Sequence, residues 1–326
     1  MAQSVCMLQN IKSIDHSCLK FMRSPKLWQV TFILTIGILS VSSTAIFIRL
    51  ALEASGKLGL EFSLFLAASR LIIASIVLFP AWKTVVKNKA NVKAYYYAIG
   101  AGFSLAFHFV CWITSLSFTS IAASTTLVTT NPIWVALLSW FWFGEKIKKI
   151  TILGIFIALL GGILIALGGN DLNNSYNQPM LGNVLALMGA LFVSFYLIFG
   201  KISQQEGLNI SSYSVIVYTT AAILLFPLPF VFGSGYSNYP NPVYLYVLLM
   251  AIFSQLIGHT SINWSVRYVS PTLITLAILF EPIGSSFLGF LLFQEIPSIL
   301  VLIGAFIILV GVIIAVVSSQ DKCKSV

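Results

Sequence analysis

The chain has 326 residues, 58% of them hydrophobic and only 8% charged, with a mean hydropathy of +0.97. A soluble domain usually carries about 25% charge, so this surface cannot be coated for water, and the solvent implied is lipid. The net charge of +9 comes from short basic clusters between apolar runs, which argues against nucleic acid. The four cysteines (Cys6, Cys18, Cys111, Cys323) show neither CxxC nor metal-ligand spacing.

Residues 1–27 are polar and basic and lack a small-residue cleavage site, so they read as a retained cytoplasmic tail. Ten apolar runs follow, each near the roughly 20 residues that cross a bilayer: 28–52, 60–80, 94–116, 120–143, 150–168, 180–200, 211–233, 243–265, 271–293 and 298–318. The two longest connections, at 169–179 and 234–242, are rich in the Asn, Gly and Pro of wet turns. Residues 319–326 form a second cytoplasmic tail. With both ends inside, the inner segments hold fifteen Lys and Arg and the outer ones only Lys57. That asymmetry fixes the expected orientation, and the basic clusters face anionic lipid. The fold class expected is an all-α membrane protein of the cell inner (plasma) membrane.

A shift of 150 residues superimposes the two halves. Pro132 falls on Pro282, Phe143 on Phe293, Glu145 on Glu295, Gly154 on Gly304 and Gly161 on Gly311, with thirteen identities between 120 and 163. Residues 28–168 and 180–318 therefore read as five helices twice. Five is odd, so the halves enter the membrane from opposite sides. Such inverted repeats accompany alternating access, with a site at mid-membrane between the halves.

The stretches ASTTLVTTNPIWVALLSWFWFGEK (123–146) and SPTLITLAILFEPIGSSFLGFLLFQE (270–295) resemble the end of the fourth helix of an EamA-type domain. Tandem domains of that type build the ten-helix carriers of the drug/metabolite transporter superfamily. One departure is Gln294, where the first half has Gly144. The resemblance implies a carrier of metabolites or amino acids, often an exporter, that does not hydrolyse ATP.

Polar groups inside the spans mark the candidate site. Glu281 stands ten residues into the ninth span, roughly 15 Å along a helix axis, where an ionised acid costs several kcal/mol unless it meets a partner or a cavity. It reads as a proton-binding or amine-binding carboxylate, or as a structural acid bonded within the bundle. Pro282 follows it and weakens the helix. The equivalent positions in the first half are Asn131 and Pro132. Arg70, mid-span, suits a substrate carboxylate or an internal salt bridge, conceivably to Glu281. His108 and His259 occupy nearly equivalent repeat positions and suit proton relay or bonding between helices. Gln255 and Asn263 share the face of His259, and Trp112 that of His108. Tyr196 and Tyr218 lie mid-span. This mixture of apolar walls and few polar groups fits a cavity for a small organic solute.

Other charged and aromatic residues read as structural. Arg49, near the outer end of its span, is expected to snorkel, and Trp134, Trp140 and Trp142 suit an interfacial belt. Glu145 and Glu295 sit at helix ends, where charge is cheap. The fifth and tenth spans have no ionisable side chain and glycines seven residues apart, which suits close helix contact as a scaffold or a homodimer face.

No GxxxxGK[ST], GxSxG, HExxH or TVGYG occurs, so no cofactor and no enzymatic activity are expected. The expected partners are a small-molecule substrate, the bilayer and protons as a coupling ion, in a monomer or homodimer. The reading is a secondary carrier. Its rivals are an uncoupled facilitator of the same fold and an intramembrane enzyme, for which His108, His259 and Glu281 are the only loose parts.

Overall fold

The computed structural model describes residues 25–143, 149–168, 178–265, 268 and 277–320. Both expected tails up to residue 24 and beyond 320, most of the 169–179 connection, Glu145, Lys146, Lys148, Arg267 and the first residues of the ninth expected span lie outside the described residues.

Apolar runs without internal charge form helices because lipid offers the backbone no other hydrogen-bond partner. The first helix, α1, has two pieces, Leu27–Ser42 and Thr44–Ser55. At the joint the hydroxyls of Ser42 and Ser43 donate to the carbonyls of Ile38 and Ser40, at 2.9 and 2.7 Å, the local competition that lets serine bend a helix. Helix α2 (Leu60–Val77) ends before Pro80 and passes through a 3-10 turn (Phe79–Ala81) into the short helix Trp82–Lys87. Asn91 caps α3 (Val92–Ser115), and Ser120 caps the first piece of α4. Helix α4 is itself divided into Ile121–Val128 and Asn131–Phe143. Then come α5 (Lys149–Gly168), α6 (Pro179–Gln205) and α7 (Ile210–Leu225).

Helix α8 begins as Asn241–Leu249, runs as a wide π-helix over Met250–His259 and closes as Thr260–Ser265. Helices α9 (Phe280–Phe293) and α10 (Ile299–Gln320) complete the chain. Among the described residues, seven helical spans are long and apolar enough to cross a membrane; α5, α9 and α10 contribute the shorter apolar stretches Lys149–Ile165, Phe280–Phe293 and Ile299–Ile314. The architecture is all-α, two five-helix repeats of opposite sense.

The halves are interleaved. Helix α3 packs on α6 and α8 on α1; α4 packs on α6 and α9 on α1; α2 meets α7, and α5 meets α10. Each of these contacts between halves has its counterpart under the repeat. The α5–α10 contact shows why small residues recur there. A Cβ on Gly161 would lie 2.6 Å from the Gly304 carbonyl oxygen, and one on Gly311 would lie 2.6 Å from the backbone of Ala158 and Gly154. Only glycine permits backbones this close. The glycine face is thus used within the chain, and the outer faces of the pair carry bulky exposed Phe156, Leu159, Ile163 and Phe306.

Candidate functional site

Two helix breaks build the centre of the molecule. In α4 the hydroxyls of Thr129 and Thr130 fold back onto the carbonyls of Thr126 and Leu127, at 3.0 and 2.7 Å. The helix stops there and restarts at Asn131, with Pro132 in the first turn, where its missing N–H costs nothing. In α9 Leu279 precedes the helix, and Glu281 and Pro282 lie in its first turn. The repeat thus places Asn131–Pro132 and Glu281–Pro282 at the same kind of half-helix start. A carboxylate in a first turn faces the positive end of the helix dipole, a favourable term of about 0.3–1 kcal/mol.

Both starts border one small cavity of about 60 Å3. His108, Trp112, Asn131, Tyr196, His259 and Glu281 line it, together with Asn263 and Thr44 among apolar neighbours. Seven residues singled out in the sequence, Asn263 among them, therefore meet in space, drawn from α3, α4, α6, α8 and α9. His108 donates from Nδ1 to the Gly189 carbonyl at 2.9 Å, which leaves Nε2 free as an acceptor. Its ring stacks on Trp112, with centroids 5.9 Å apart and planes 13° apart. His259 stands at the end of the π-helix, edge-on to Phe109 with centroids 5.5 Å apart. A π-turn widens the helix and re-aims the side chains that follow, a feature frequent at functional positions. Asn263 donates to the Tyr196 hydroxyl at 2.6 Å.

Three atoms among these wall residues have no hydrogen-bond partner: Thr44 Oγ1, Trp112 Nε1 and Asn131 Oδ1. Each unmade bond at a buried polar atom costs roughly 1–3 kcal/mol. The wall thus presents one such donor, one such acceptor and a hydroxyl.

Arg70, Gln255 and Tyr218 sit beside the cavity rather than on its wall. Arg70 is fully buried. Its Nη2 donates to Ser254 Oγ at 2.6 Å and to Gln255 Oε1 at 3.0 Å, and its guanidinium lies 4.0 Å over the Phe109 ring. Nε and Nη1 make no bond. Glu281 is within electrostatic reach of Arg70, but among the described residues the two form no direct ion pair. The Tyr218 hydroxyl reaches the Gln255 carbonyl and Thr260 Oγ1, both at 3.4 Å.

Serine ties between halves frame the cavity. Ser194 of α6 donates to the Asn131 carbonyl at 3.0 Å, and Ser285 of α9 donates to the Ser42 carbonyl at 3.0 Å. One bond holds the break in α4 and the other the joint in α1.

Arg49 and Glu295 form a further contact that the sequence does not announce. Arg49 does not snorkel outward. It donates from Nη2 to the Thr119 carbonyl at 3.1 Å and lies 3.8 Å from Glu295 Oε2. The other oxygen of Glu295 accepts from the backbone N–H of Ile121 at 2.7 Å, at the start of α4. Glu295 thus joins the end of α9 to α1 and α4, closing the bundle at the end where these helices meet. Positions 49 and 295 both lie near span ends, where a charge carries little cost, so neither stands out in the sequence.

Comparison with known proteins agrees with this architecture. The family model described as "EamA-like transporter family" matches residues 27–167 and 180–317. The "Uncharacterized transporter YxxF" of Bacillus subtilis is 25% identical over 69% of this chain and 71% of its own. The same organism's "Uncharacterized transporter YetK" is 27% identical over 70% and 75%. An "Uncharacterized transporter" of Archaeoglobus fulgidus is 22% identical over 86% and 94%. A protein crystal structure superimposes on 91% of this chain and 99% of its own with a TM-score of 0.59 at 18% identity, which shows a shared fold. The paired EamA matches cover both repeats, and the chain therefore belongs to the EamA-like transporter family, as an integral membrane transporter.

Proposed function

We propose that this protein is a secondary carrier that moves a small organic metabolite across the plasma membrane by alternating access, with both termini in the cytoplasm and export as the favoured direction. One observation carries the reading. A carboxylate, Glu281, stands at a broken-helix start at mid-span and borders the same cavity as its repeat partner Asn131. The pair gives one pseudo-symmetric site a single carboxylate, suited to exchange a proton or to hold a substrate amine.

The cavity as it stands is far smaller than the ~300–1,000 Å3 of sites for organic ligands. Substrate entry then requires the halves to separate. The Arg49–Glu295–Ile121 junction is the gate on one side, because Glu295 belongs to one repeat and its partners to the other.

The test is counterflow in liposomes. Candidate solutes come from comparing the medium of cells that do and do not overexpress the protein. Trans-acceleration is expected of the wild type; its absence describes an open pore and rejects the carrier. Glu281→Gln is expected to lose the dependence of flux on a pH gradient while the protein stays folded. Flux identical to wild type at every pH would remove Glu281 from the mechanism.

A further inference from the structure

A second hollow lies on the flank of the bundle, separate from the central cavity in every lining residue. It encloses about 360 Å3 between α4, α5, α6 and α10. Its walls are apolar apart from Thr130 and Asn183. Several of its residues, among them Leu159, Ile163, Met180 and Val184, are exposed on the membrane-facing surface, so the hollow is a groove open to the bilayer. An apolar lining of this size gains dispersion contacts from an apolar occupant, and the solvent at its mouth is hydrocarbon.

One end of the groove is polar. Asn183 is almost wholly buried, and its Oδ1 accepts from Thr119 Oγ1 at 3.0 Å. Its Nδ2 has no partner. Asn183 is the fifth residue of α6, which has 27 residues and at 1.5 Å per residue spans roughly 40 Å. The hydrocarbon core of a bilayer is about 30 Å thick. Were the helix centred across the bilayer, it would extend about 5 Å beyond the hydrocarbon at each end, which would put Asn183, roughly 6 Å from its start, near the level where glycerolipid ester carbonyls lie. Those carbonyls are acceptors; the free group is a donor.

We infer that this groove is a binding site for one acyl chain of a membrane glycerophospholipid, with Asn183 Nδ2 donating to the chain's ester carbonyl. The occupied groove would press on the broken turn of α4. Thr130 and Ile133 line the groove while Thr129 and Asn131 line the central cavity, so the two spaces share one wall.

The groove carries its own reporter and its own plug. Trp134 lines it. A Cβ added at Gly162, another lining residue, meets no atom within 4 Å, so Gly162→Phe can fill the groove without a clash at the backbone. Trp140 is exposed to the bilayer, does not line the groove, and reports ordinary annular lipid.

The test uses the full chain in bilayers of phosphatidylcholine brominated at mid-chain. The Trp134 and Trp140 fluorescence components are isolated by difference from the Trp134→Phe and Trp140→Phe variants. Quenching of both in the wild type is expected, with Gly162→Phe relieving quenching at Trp134 and leaving that at Trp140. Absence of Trp134 quenching in the wild type would overturn the proposal without recourse to the plugged variant. So would equal loss at Trp134 in wild type and Gly162→Phe, since the lipid contact would then lie outside the groove.

Discussion

At the scale of single residues, burial raises the stakes of every polar contact. Arg70 is fully buried and depends on Ser254 and Gln255 for its Nη2 bonds. Losing a hydrogen bond to a charged group costs roughly 1.5–3 kcal/mol. Gln255→Leu is therefore expected to lower the thermal unfolding midpoint in detergent, and Gln255→Glu, which keeps the acceptor, to restore most of it. An unchanged midpoint in Gln255→Leu would mean that the bond contributes nothing. The residues on the cavity wall were legible in the sequence for a related reason. Glu281, Asn131, His108 and His259 are polar groups at mid-span, and a polar group there must face protein or a cavity. What the sequence could not give was facing. Arg70, Gln255 and Tyr218 are equally polar and equally deep, yet they lie behind the wall. The run around each is apolar with a few scattered Ser and Thr, so no periodicity records which way the residue points. Gln255 and His259 also lie on a π-helix, which alters the angular spacing that an α-helical reading assumes.

At the scale of elements, the glycines of α5 and α10 set the distance between two helices rather than any turn. Gly161 and Gly162 are neighbours in sequence with opposite surroundings: a Cβ on Gly161 collides with the Gly304 carbonyl and Ile308, while one on Gly162 meets nothing. Gly161→Leu is expected to destabilise the protein by about 1–3 kcal/mol or more, the usual cost of overpacking, and Gly162→Ala to leave stability unchanged. Thermal unfolding of the two variants side by side checks this; equal midpoints would mean that the α5–α10 contact adjusts freely. The seven-residue glycine spacing was visible in the sequence and pointed to close packing. Whether the partner was another helix of the same chain or a second copy was not, because spacing describes one surface and says nothing of what meets it. The breaks in α4 and α9 are similar. Pro132 and Pro282 marked the places, but the serine and threonine back-bonds that end the preceding turn and bend α1 emerge only in three dimensions.

At the scale of the whole molecule, the repeat is what organises the assembly. Its count of five, its shift of 150 residues and its matched prolines were all readable, and the interleaved packing of the halves follows from them. The Arg49–Glu295 pair was not readable as a pair, because 246 positions separate partners that only the closed bundle brings within 3.8 Å. An exposed pair of this kind contributes little to stability, while a partly buried one with a backbone N–H as third member fixes geometry. Its place between repeats is the ground for proposing it as a latch rather than a strut. The account stands or falls on whether the central cavity opens through that latch. A single cysteine at Ile278, on the cavity wall, in a cysteine-free background and treated with a membrane-impermeant thiol reagent, tests this most directly. Reaction from the side of the latch is expected to be slow in the otherwise unaltered protein and to speed up when Glu295→Gln is added. A rate that is unchanged by Glu295→Gln, with no reaction from either face, would contradict it.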